Sequence, residues 1–221
     1  MKHCLCHLSD LQISINEVYQ TMGYGDNQPD EYLKFETGRI LDELNSICKP
    51  QYIYAIYPGM VKDNVSIQIG DNRLKLGKTI VSYLSEVEYF CVFVTTAGQE
   101  YDSYKKKLRA DGELLKEFIA DSIGSVIAEA CVSRISEELS AKQNIEHTYP
   151  YSPGYCGWKL KEQQILFGML PNKPCGVELT ESCLMMPIKS ISGIFGLGRN
   201  IQRKAYGCTI CENINCYKRK T

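Results

Sequence analysis

The feature that most constrains the fold of this chain is an apolar run at residues 89–95, with the sequence YFCVFVT. A strand that is apolar on both faces is buried on both faces, so this run predicts a strand inside the protein. Directly after it comes a turn of small residues, Thr96-Ala97-Gly98, and then a helical segment. Such a junction is a common place for ligand contact, and it is equally typical of a plain strand-to-helix connection.

Shorter segments on both sides of this run indicate a mixed fold. Strand-like patterns occur at residues 11–15, 52–56, 65–69, 74–76, 176–179 and 189–195, with a predicted turn at Pro58-Gly59. Helical periodicity predicts helices at residues 17–22, 29–47, 80–84, 101–108, 111–139 and 158–170. Short strands with antiparallel connections and several helices indicate the α+β class, with a mostly antiparallel sheet and flanking helices.

Length and charge limit the classes of partner. The chain has 221 residues, of which 44% are hydrophobic, and this is enough for one sizeable core. A net charge of -1 creates no overall field toward nucleic acid or an anionic membrane. No run approaches the ~18 apolar residues of a membrane span. The N-terminus also lacks the apolar segment of a secretory signal. We therefore expect no nucleic-acid or membrane partner and, by default, a cytoplasmic location.

Few residues point to catalysis by this chain alone. His147 is the only histidine outside residues 1–7, and we expect it to be a satisfied surface residue rather than a catalytic base. Ser182 stands beside Glu181, but the G-x-S-x-G pattern of a hydrolase nucleophile is absent. Residues 1–7 include two histidines and two cysteines, and we expect this terminus to be disordered rather than to bind a metal.

Two polar clusters punctuated by glycine and proline are the candidates for a site. The first consists of Tyr151, Ser152, Pro153, Gly154 and Tyr155. Pro153 fixes φ and Gly154 permits a turn that other residues enter at a cost, so this backbone can lie close to a ligand. The second cluster, at residues 179–193, places Glu181 between two hydroxyl side chains. Clusters of this kind often carry binding sites.

In this order and at this spacing, the two clusters resemble the activation domain of cobalamin-dependent methionine synthase. That family carries an R-x-x-P-G-Y turn followed by L-T-E-S-x-x-M-x-P-x-x-S-x-S-G. The second motif is complete here, from Leu179 to Gly193, and the first is present at residues 153–155 with Pro150 at the arginine position. The family's A-E-A helix motif is matched at Glu129 and its two alanine neighbours, although periodicity alone would make Glu129 part of a solvated helix face.

The resemblance is to the short, stand-alone form of this domain, assigned to residues 1–200 and followed by a tail at residues 201–221. It implies a curved α+β domain that binds S-adenosylmethionine. The domain would present the ligand's methyl group to cob(II)alamin, which is held by a cobalamin-binding methyltransferase chain. An electron from a flavodoxin-type or ferredoxin-type donor would complete the remethylation. The chain would then be an accessory component of methionine synthase rather than an enzyme acting alone.

The resemblance also implies a set of ligand-binding residues, namely Glu129, Tyr151, Ser152, Pro153, Gly154, Tyr155 and Glu181. In the family the arginine pairs with the carboxylate of the ligand, and Pro150 supplies no donor for this purpose. We therefore expect weaker binding, a changed ligand, or substitution by another cation such as Lys159 or Lys189. Met185 and Met186, beside Pro187, are candidates either for the core or for a surface that closes over the corrinoid.

The chain has eleven cysteines, and three of them form a C-x2-C-x4-C pattern near the C-terminus, at Cys208, Cys211 and Cys216. This spacing brings thiolates to one metal with little strain, so zinc, an iron–sulfur cluster and no metal are all open. Most of the other cysteines are expected to be small buried hydrophobic residues. The pattern keeps an alternative function open: a metal-binding interaction or electron-transfer protein on the same scaffold, with a decayed ligand site.

Overall fold

A seven-stranded antiparallel sheet lies at the centre of the computed structural model, which describes residues 1–141, 145–201 and 203. The strands are β1 (Lys2–Leu5), β2 (Gln51–Val61), β3 (Ser66–Ile69), β4 (Asn72–Lys75), β5 (Tyr89–Thr96), β6 (Glu146–His147), β7 (Glu178–Leu179), β8 (Met185–Met186) and β9 (Ser190–Gly198). The helices are α1 (Ile15–Thr21), α2 (Glu31–Ile47), α3 (Lys78–Val81), α4 (Gln99–Ala110), α5 (Leu114–Ser140) and α6 (Gln163–Gly168).

The sheet order is β4-β3-β2-β5-β9-β6, with β1 also paired to β2, while β7 and β8 form a separate hairpin. β5 lies between β2 and β9 and pairs with both along its full length. Its residues from Phe90 to Val94 are completely buried, which confirms the strand predicted from the apolar run. The predicted α+β class with a mostly antiparallel sheet is also confirmed.

Each face of the sheet has its own hydrophobic core, because side chains alternate along each strand. On β5, Cys91 and Phe93 point into a core shared with α2 and α5. Val92 and Val94 point into the opposite core, which contains the fully buried Trp158. The helix α5 contributes a buried stripe with a spacing of four residues, formed by Ile119, Ile123, Ile127, Cys131 and Ile135. This stripe holds the helix against the sheet.

Three local predictions are wrong. Residues 1–7 are not disordered, because β1 adds to the edge of β2, with Cys4 opposite Tyr52. The strand expected at residues 11–15 is absent from this described segment: Ser14 instead caps α1, its hydroxyl accepting from the Glu17 amide at 3.3 Å. Pro58-Gly59 is not a turn, since β2 continues through it. For residues 1–7 and for Pro58-Gly59, pairing with a distant segment overrides the local pattern, whereas at residues 11–15 a helix cap replaces the strand.

His147 is buried rather than on the surface, with 3% of its area exposed. It lies on β6 and contacts the Ser140 hydroxyl at the end of α5 at 3.0 Å. Burial is the main cause that lowers the pKa of His147. The histidine therefore joins β6 to the helix, and this position explains it without a catalytic role.

Glu138, near the end of α5, connects the helix to strands β1 and β2 through hydrogen bonds. Its carboxylate accepts hydrogen bonds from Lys2 Nζ at 2.5 Å, the Tyr52 hydroxyl at 2.6 Å and the Tyr54 hydroxyl at 3.0 Å. Burial raises the pKa of Glu138, but the three hydrogen bonds lower this pKa by more than burial raises it. The pKa of Glu138 therefore lies below the ordinary value. The charged form is therefore the one that the fold stabilises.

Substitution Glu138→Gln is expected to lower the free energy of unfolding at pH 7 by about 1–2 kcal/mol, because charge-assisted hydrogen bonds are weakened. A carboxyl whose folded pKa is depressed stabilises the fold above its unfolded pKa, and this stabilisation is lost as pH falls through the folded pKa. The difference between wild type and variant in urea unfolding should therefore shrink below pH 4.5, the ordinary pKa. The exposed neighbour Glu137 is the control, and Glu137→Gln should change stability by less than about 0.5 kcal/mol. Equal effects of the two variants at pH 7 would contradict the role of Glu138.

Candidate functional site

A groove with a volume of about 1180 Å³ lies between α5 and the segment of residues 10–26. The segment wall includes residues 10–14 and several residues of and after α1. The helix contributes a stripe with a spacing of three to four residues, which consists of Ser125, Val126, Glu129, Ala130, Ser133, Arg134 and Glu137. Glu129, which the resemblance places at a ligand site, is solvent-exposed and lines this groove.

The groove is rich in acidic side chains. Among the described residues that line it, five carboxylates face a single guanidinium: Asp10, Glu17, Asp26, Glu129 and Glu137, against Arg134. Arg134 is half exposed and donates to the Glu137 carboxylate at 2.8 Å. A cleft lined mainly by one sign of charge concentrates ligands of the opposite sign. The groove therefore favours a cationic ligand.

The turn at residues 151–155 is held against strand β9. The Tyr151 amide and carbonyl exchange hydrogen bonds of 2.9 Å with Ile194. A Cβ on Gly193 would lie 2.4 Å from the Tyr151 carbonyl oxygen, so only glycine permits this approach. Gly154 has a φ of +98°, and its amide donates to the Trp158 carbonyl at 2.8 Å. Tyr151 is buried, whereas Tyr155 is 58% exposed.

One residue of the turn, Ser152, places its hydroxyl on the same side of the sheet as the helix motif, whereas Tyr151 packs into the core on the opposite side. The Ser152 hydroxyl and the end of the Phe93 ring are each 3.0 Å from the position that a Cβ on Gly193 would take. Thr95, two residues further along β5, has the same orientation as Phe93. Its hydroxyl donates to the carbonyl of Ala128, the residue before the groove glutamate, at 3.2 Å. The Ser152 hydroxyl thus lies on the α5 side of the sheet, although no residue of the turn lines the groove.

Glu181 lies apart from the groove, exposed in the loop between β7 and β8. This hairpin is closed by the Thr180 amide, which donates to the Leu184 carbonyl at 2.9 Å. Beside the hairpin is a second depression of about 380 Å³, formed with one end of α4 and lined by Thr180 but not by Glu181. The complete second motif therefore builds a hairpin next to β9 rather than a wall of the groove.

The two lysines considered as replacements for the missing arginine have different environments. Lys189 is mostly buried, and its ammonium group donates to Asp121 Oδ2 and Ser125 Oγ, both at 2.8 Å. Burial raises the pKa of Asp121, but Lys105 and Lys189 lower it below the ordinary value, so Lys189 already serves a carboxylate. Lys159 is exposed just after the turn.

The sequence did not indicate that Arg134 lines the groove, although its helical spacing from Glu129 and Ala130 could be read from it. Helical spacing shows which residues share a face. It cannot show that the segment of residues 10–26 lies across that face, and this segment is what makes a groove.

The tail cysteines Cys208, Cys211 and Cys216 lie outside the described residues. Within the described ranges, no group of three or more histidine, cysteine, aspartate or glutamate side chains is arranged to hold a metal ion. Likewise, none of the helices in those ranges is long and apolar enough to cross a membrane.

Fold and site together define an α+β domain with an open antiparallel sheet and an acidic groove along its longest helix. The chain matches the family model described as vitamin B12 dependent methionine synthase, activation domain, over residues 60–220, a range that includes the three tail cysteines. It therefore belongs to the family of vitamin B12-dependent methionine synthase activation domains.

A solved structure supports the same fold. The chain is similar to the MetH reactivation domain, crystallised with AdoHcy, with a TM-score of 0.73 and 17% sequence identity. The similarity covers 93% of this chain and 80% of that one. At this identity the likeness shows the fold alone. The search of curated proteins found no significant match.

Proposed function

We propose that this chain binds S-adenosylmethionine and supports the reductive remethylation of cob(II)alamin held by a partner methyltransferase chain. The observation that carries the proposal is Glu129, which matches the family's A-E-A motif and lines an acidic groove in a domain of this family. The similar MetH reactivation domain was solved with AdoHcy, the demethylated form of the same ligand.

The groove fits this ligand chemically. S-adenosylmethionine carries a sulfonium and an ammonium group, and the five lining carboxylates suit both. The volume of about 1180 Å³ exceeds the ~300–1,000 Å³ of typical small-molecule pockets, so an extended nucleoside ligand can enter. We place the amino-acid end of the ligand near Glu129. The family arginine that pairs with the ligand carboxylate is absent here, because Pro150 stands at its position, and we propose that Arg134 takes over this role. A charge-assisted pair of this kind contributes about 1.5–3 kcal/mol.

The turn supplies the remaining proposed contacts. Backbone groups of Ser152, Pro153 and Gly154 would face the adenine, and the exposed ring of Tyr155 would cover it. Tyr151 would act by holding the turn on β9. Glu181 belongs to the proposed set on the strength of its motif. The support for one continuous site is that Ser152 and Ala128 lie on the same side of the strand pair β5 and β9.

The role of the chain in the reaction is placement. The cobalamin of the partner would supply the methyl acceptor, once a flavodoxin-type or ferredoxin-type donor had reduced it by one electron, and this chain's groove residues would hold the sulfonium toward it. Water exclusion and orientation of the sulfonium are what the groove residues contribute.

The partner surface that we propose surrounds the β7–β8 hairpin. Leu184 and Ile188 are each 56% exposed, and Met186 is 40% exposed. Met185 is only partly exposed and packs against the core that contains Trp158. Of the two methionines, Met186 is therefore the one available to a partner. Exposed apolar groups close to one another are typical of interaction sites.

Ligand binding tests the proposal directly. Substitution Glu129→Gln is expected to weaken S-adenosylmethionine binding by roughly 10- to 100-fold, the equivalent of about 1.5–3 kcal/mol, because one charge-assisted contact is lost. Isothermal titration calorimetry on the purified protein should show wild-type binding in the range of tens of micromolar or weaker. The control is Glu146→Gln, an exposed glutamate on β6 outside the groove. Absence of heat and of a thermal shift at millimolar ligand would refute the proposal.

A companion variant separates the role of Arg134. Substitution Arg134→Gln should reduce the affinity for S-adenosylmethionine and leave that for 5′-methylthioadenosine, which lacks the amino-acid group, unchanged. Equal losses for both ligands would remove Arg134 from the carboxylate site and leave the role of Glu129 standing.

We also propose that the tail binds a metal through Cys208, Cys211 and Cys216, for which their C-x2-C-x4-C spacing is the support. Elemental analysis of untagged protein purified without oxygen should find about one zinc, or several irons with sulfide, per chain. A Cys208→Ser, Cys211→Ser double variant should lose this metal. Trace amounts in both aerobic and anaerobic preparations would contradict the proposal.

A further inference from the structure

Two thiols lie side by side at the end of the N-terminal strand β1. Cys4 is opposite Tyr52 in the pairing of β1 with β2, and the Cys6 amide extends this pairing by donating to the Pro50 carbonyl at 2.9 Å. The backbone of both cysteines is therefore held against β2. The Cys6 thiol donates toward the Cys4 sulfur, and the two sulfur atoms are 4.0 Å apart.

The alternation of side chains along an extended chain explains why these two sulfur atoms meet. Residues two positions apart point to the same side, so Cys4 and Cys6 share one side, while His3 and Leu5 point to the other. The two cysteines pack on the core formed with α2 and α5, whereas Leu5 is 60% exposed. Cys6 is 8% exposed and Cys4 is partly exposed, so a small ion can reach the pair from solvent past Cys4.

The distance between the sulfur atoms suits a shared metal ion better than a disulfide. If each metal–sulfur bond is about 2.3 Å long, two sulfur atoms 4.0 Å apart make an angle of about 120° at the ion. A disulfide would bring the sulfur atoms to about 2.05 Å, and the Cα atoms of residues two apart in a strand are about 6.6 Å apart, near the upper limit for disulfides. The pair can therefore bind an ion with little movement of the backbone.

We propose that Cys4 and Cys6 form a binding site for a soft monovalent metal ion, namely Cu(I). Thiolate sulfur is the ligand that selects such ions. Zinc takes three or four protein ligands, and the described ranges contain no group of three or more suitable side chains. Binding releases both thiol protons to water and forms two copper–sulfur bonds, and neither copper nor sulfur changes oxidation state. The angle between these bonds is that of a three-coordinate ion, so a free thiol from solvent completes the site.

Competition with a coloured Cu(I) chelator tests the site without reference to S-adenosylmethionine. To exclude the cysteines of the tail, the parent protein would be the full-length chain with Cys208→Ser, Cys211→Ser and Cys216→Ser. This reduced protein would be titrated, without oxygen and with glutathione present, into the bathocuproine disulfonate complex of Cu(I). The loss of absorbance should show that the parent takes about one Cu(I) per chain. Addition of Cys4→Ser should abolish this uptake.

A matched control keeps the number of thiols and changes the side to which one of them points. The double variant Cys4→Ser, Leu5→Cys should take up no copper, because its new thiol points away from Cys6. Cys156→Ser removes another partly exposed cysteine and should bind copper as the parent does. Circular dichroism would confirm that each variant is folded, and Cys6→Ser replaces Cys4→Ser if the latter is not.

Three results would overturn the proposal. They are the absence of uptake by the parent, unchanged uptake after Cys4→Ser or in the double variant, and a disulfide between Cys4 and Cys6 that forms instead of the copper complex under these reducing conditions.

Discussion

Addition of this chain, S-adenosylmethionine and a reductant to an inactive methionine synthase is expected to restore its methylcobalamin spectrum. The acceptor would be a cobalamin-dependent methionine synthase without its own activation domain, oxidised to cob(II)alamin. The chain should be required because the methyl group must be held facing the cobalt while the electron arrives, and proximity of this kind accounts for large rate factors. Absorbance spectra recorded over time are the measurement, and omission of any one of the three components should leave cob(II)alamin unchanged.

The same assay connects activity to the groove. Glu129→Gln should slow the return of methylcobalamin at subsaturating S-adenosylmethionine and recover toward the wild-type rate as the ligand concentration is raised. Glu146→Gln should match wild type at all concentrations. If cob(II)alamin persists with every corrinoid partner from the same cell, the reactivation function is wrong, even if ligand binding is confirmed by calorimetry.

Substitution Gly193→Ala is expected to damage both the fold and the site. The added Cβ would lie 2.4 Å from the Tyr151 carbonyl oxygen, and this backbone atom cannot move without disturbing its hydrogen bond to Ile194. Overpacking of this kind costs about 1–3 kcal/mol. The turn at residues 151–155 should also shift, so affinity for S-adenosylmethionine should fall by roughly tenfold or more, which corresponds to about 1.4 kcal/mol.

Urea unfolding and calorimetry of the same preparations separate these two effects. The control is Gly38→Ala on α2, where an added Cβ meets no atom within 4 Å. Alanine at that helical position should stabilise the protein by about 0.5–1 kcal/mol and leave ligand binding unchanged. A Gly193→Ala variant with wild-type stability and affinity would show that the turn does not depend on this close contact.

The main chemical question about this chain is which residue binds the carboxylate of the ligand, since the family's arginine is absent. Pro150 occupies the arginine position and donates no hydrogen bond, while Lys189 is bound to Asp121 and Ser125. Arg134 reaches the groove from a different element, the helix that also carries Glu129. The comparison of S-adenosylmethionine with 5′-methylthioadenosine therefore decides whether the ligand carboxylate is recognised from α5 rather than from the turn.

Several elements were determined by the sequence itself. The apolar run at residues 89–95 predicted β5, and helical periodicity predicted α2, which begins at Glu31 and ends at Ile47. A glycine inside the predicted strand at residues 189–195 indicates a close backbone approach, and such an approach occurs at Gly193. These features depend on a residue's own backbone freedom or on the burial of a continuous segment. Both can be inferred from residues that are close together in the sequence.

Only the tertiary structure decided where the groove lies and what lines it. β1 joins the sheet through pairing with β2, and residues 10–26 then cross α5 to bring Asp10 opposite Glu129 and Arg134. Such contacts join residues more than a hundred positions apart, and their free energy depends on the shape of the packed core. Local periodicity reports which face of an element is buried but not which distant segment covers it.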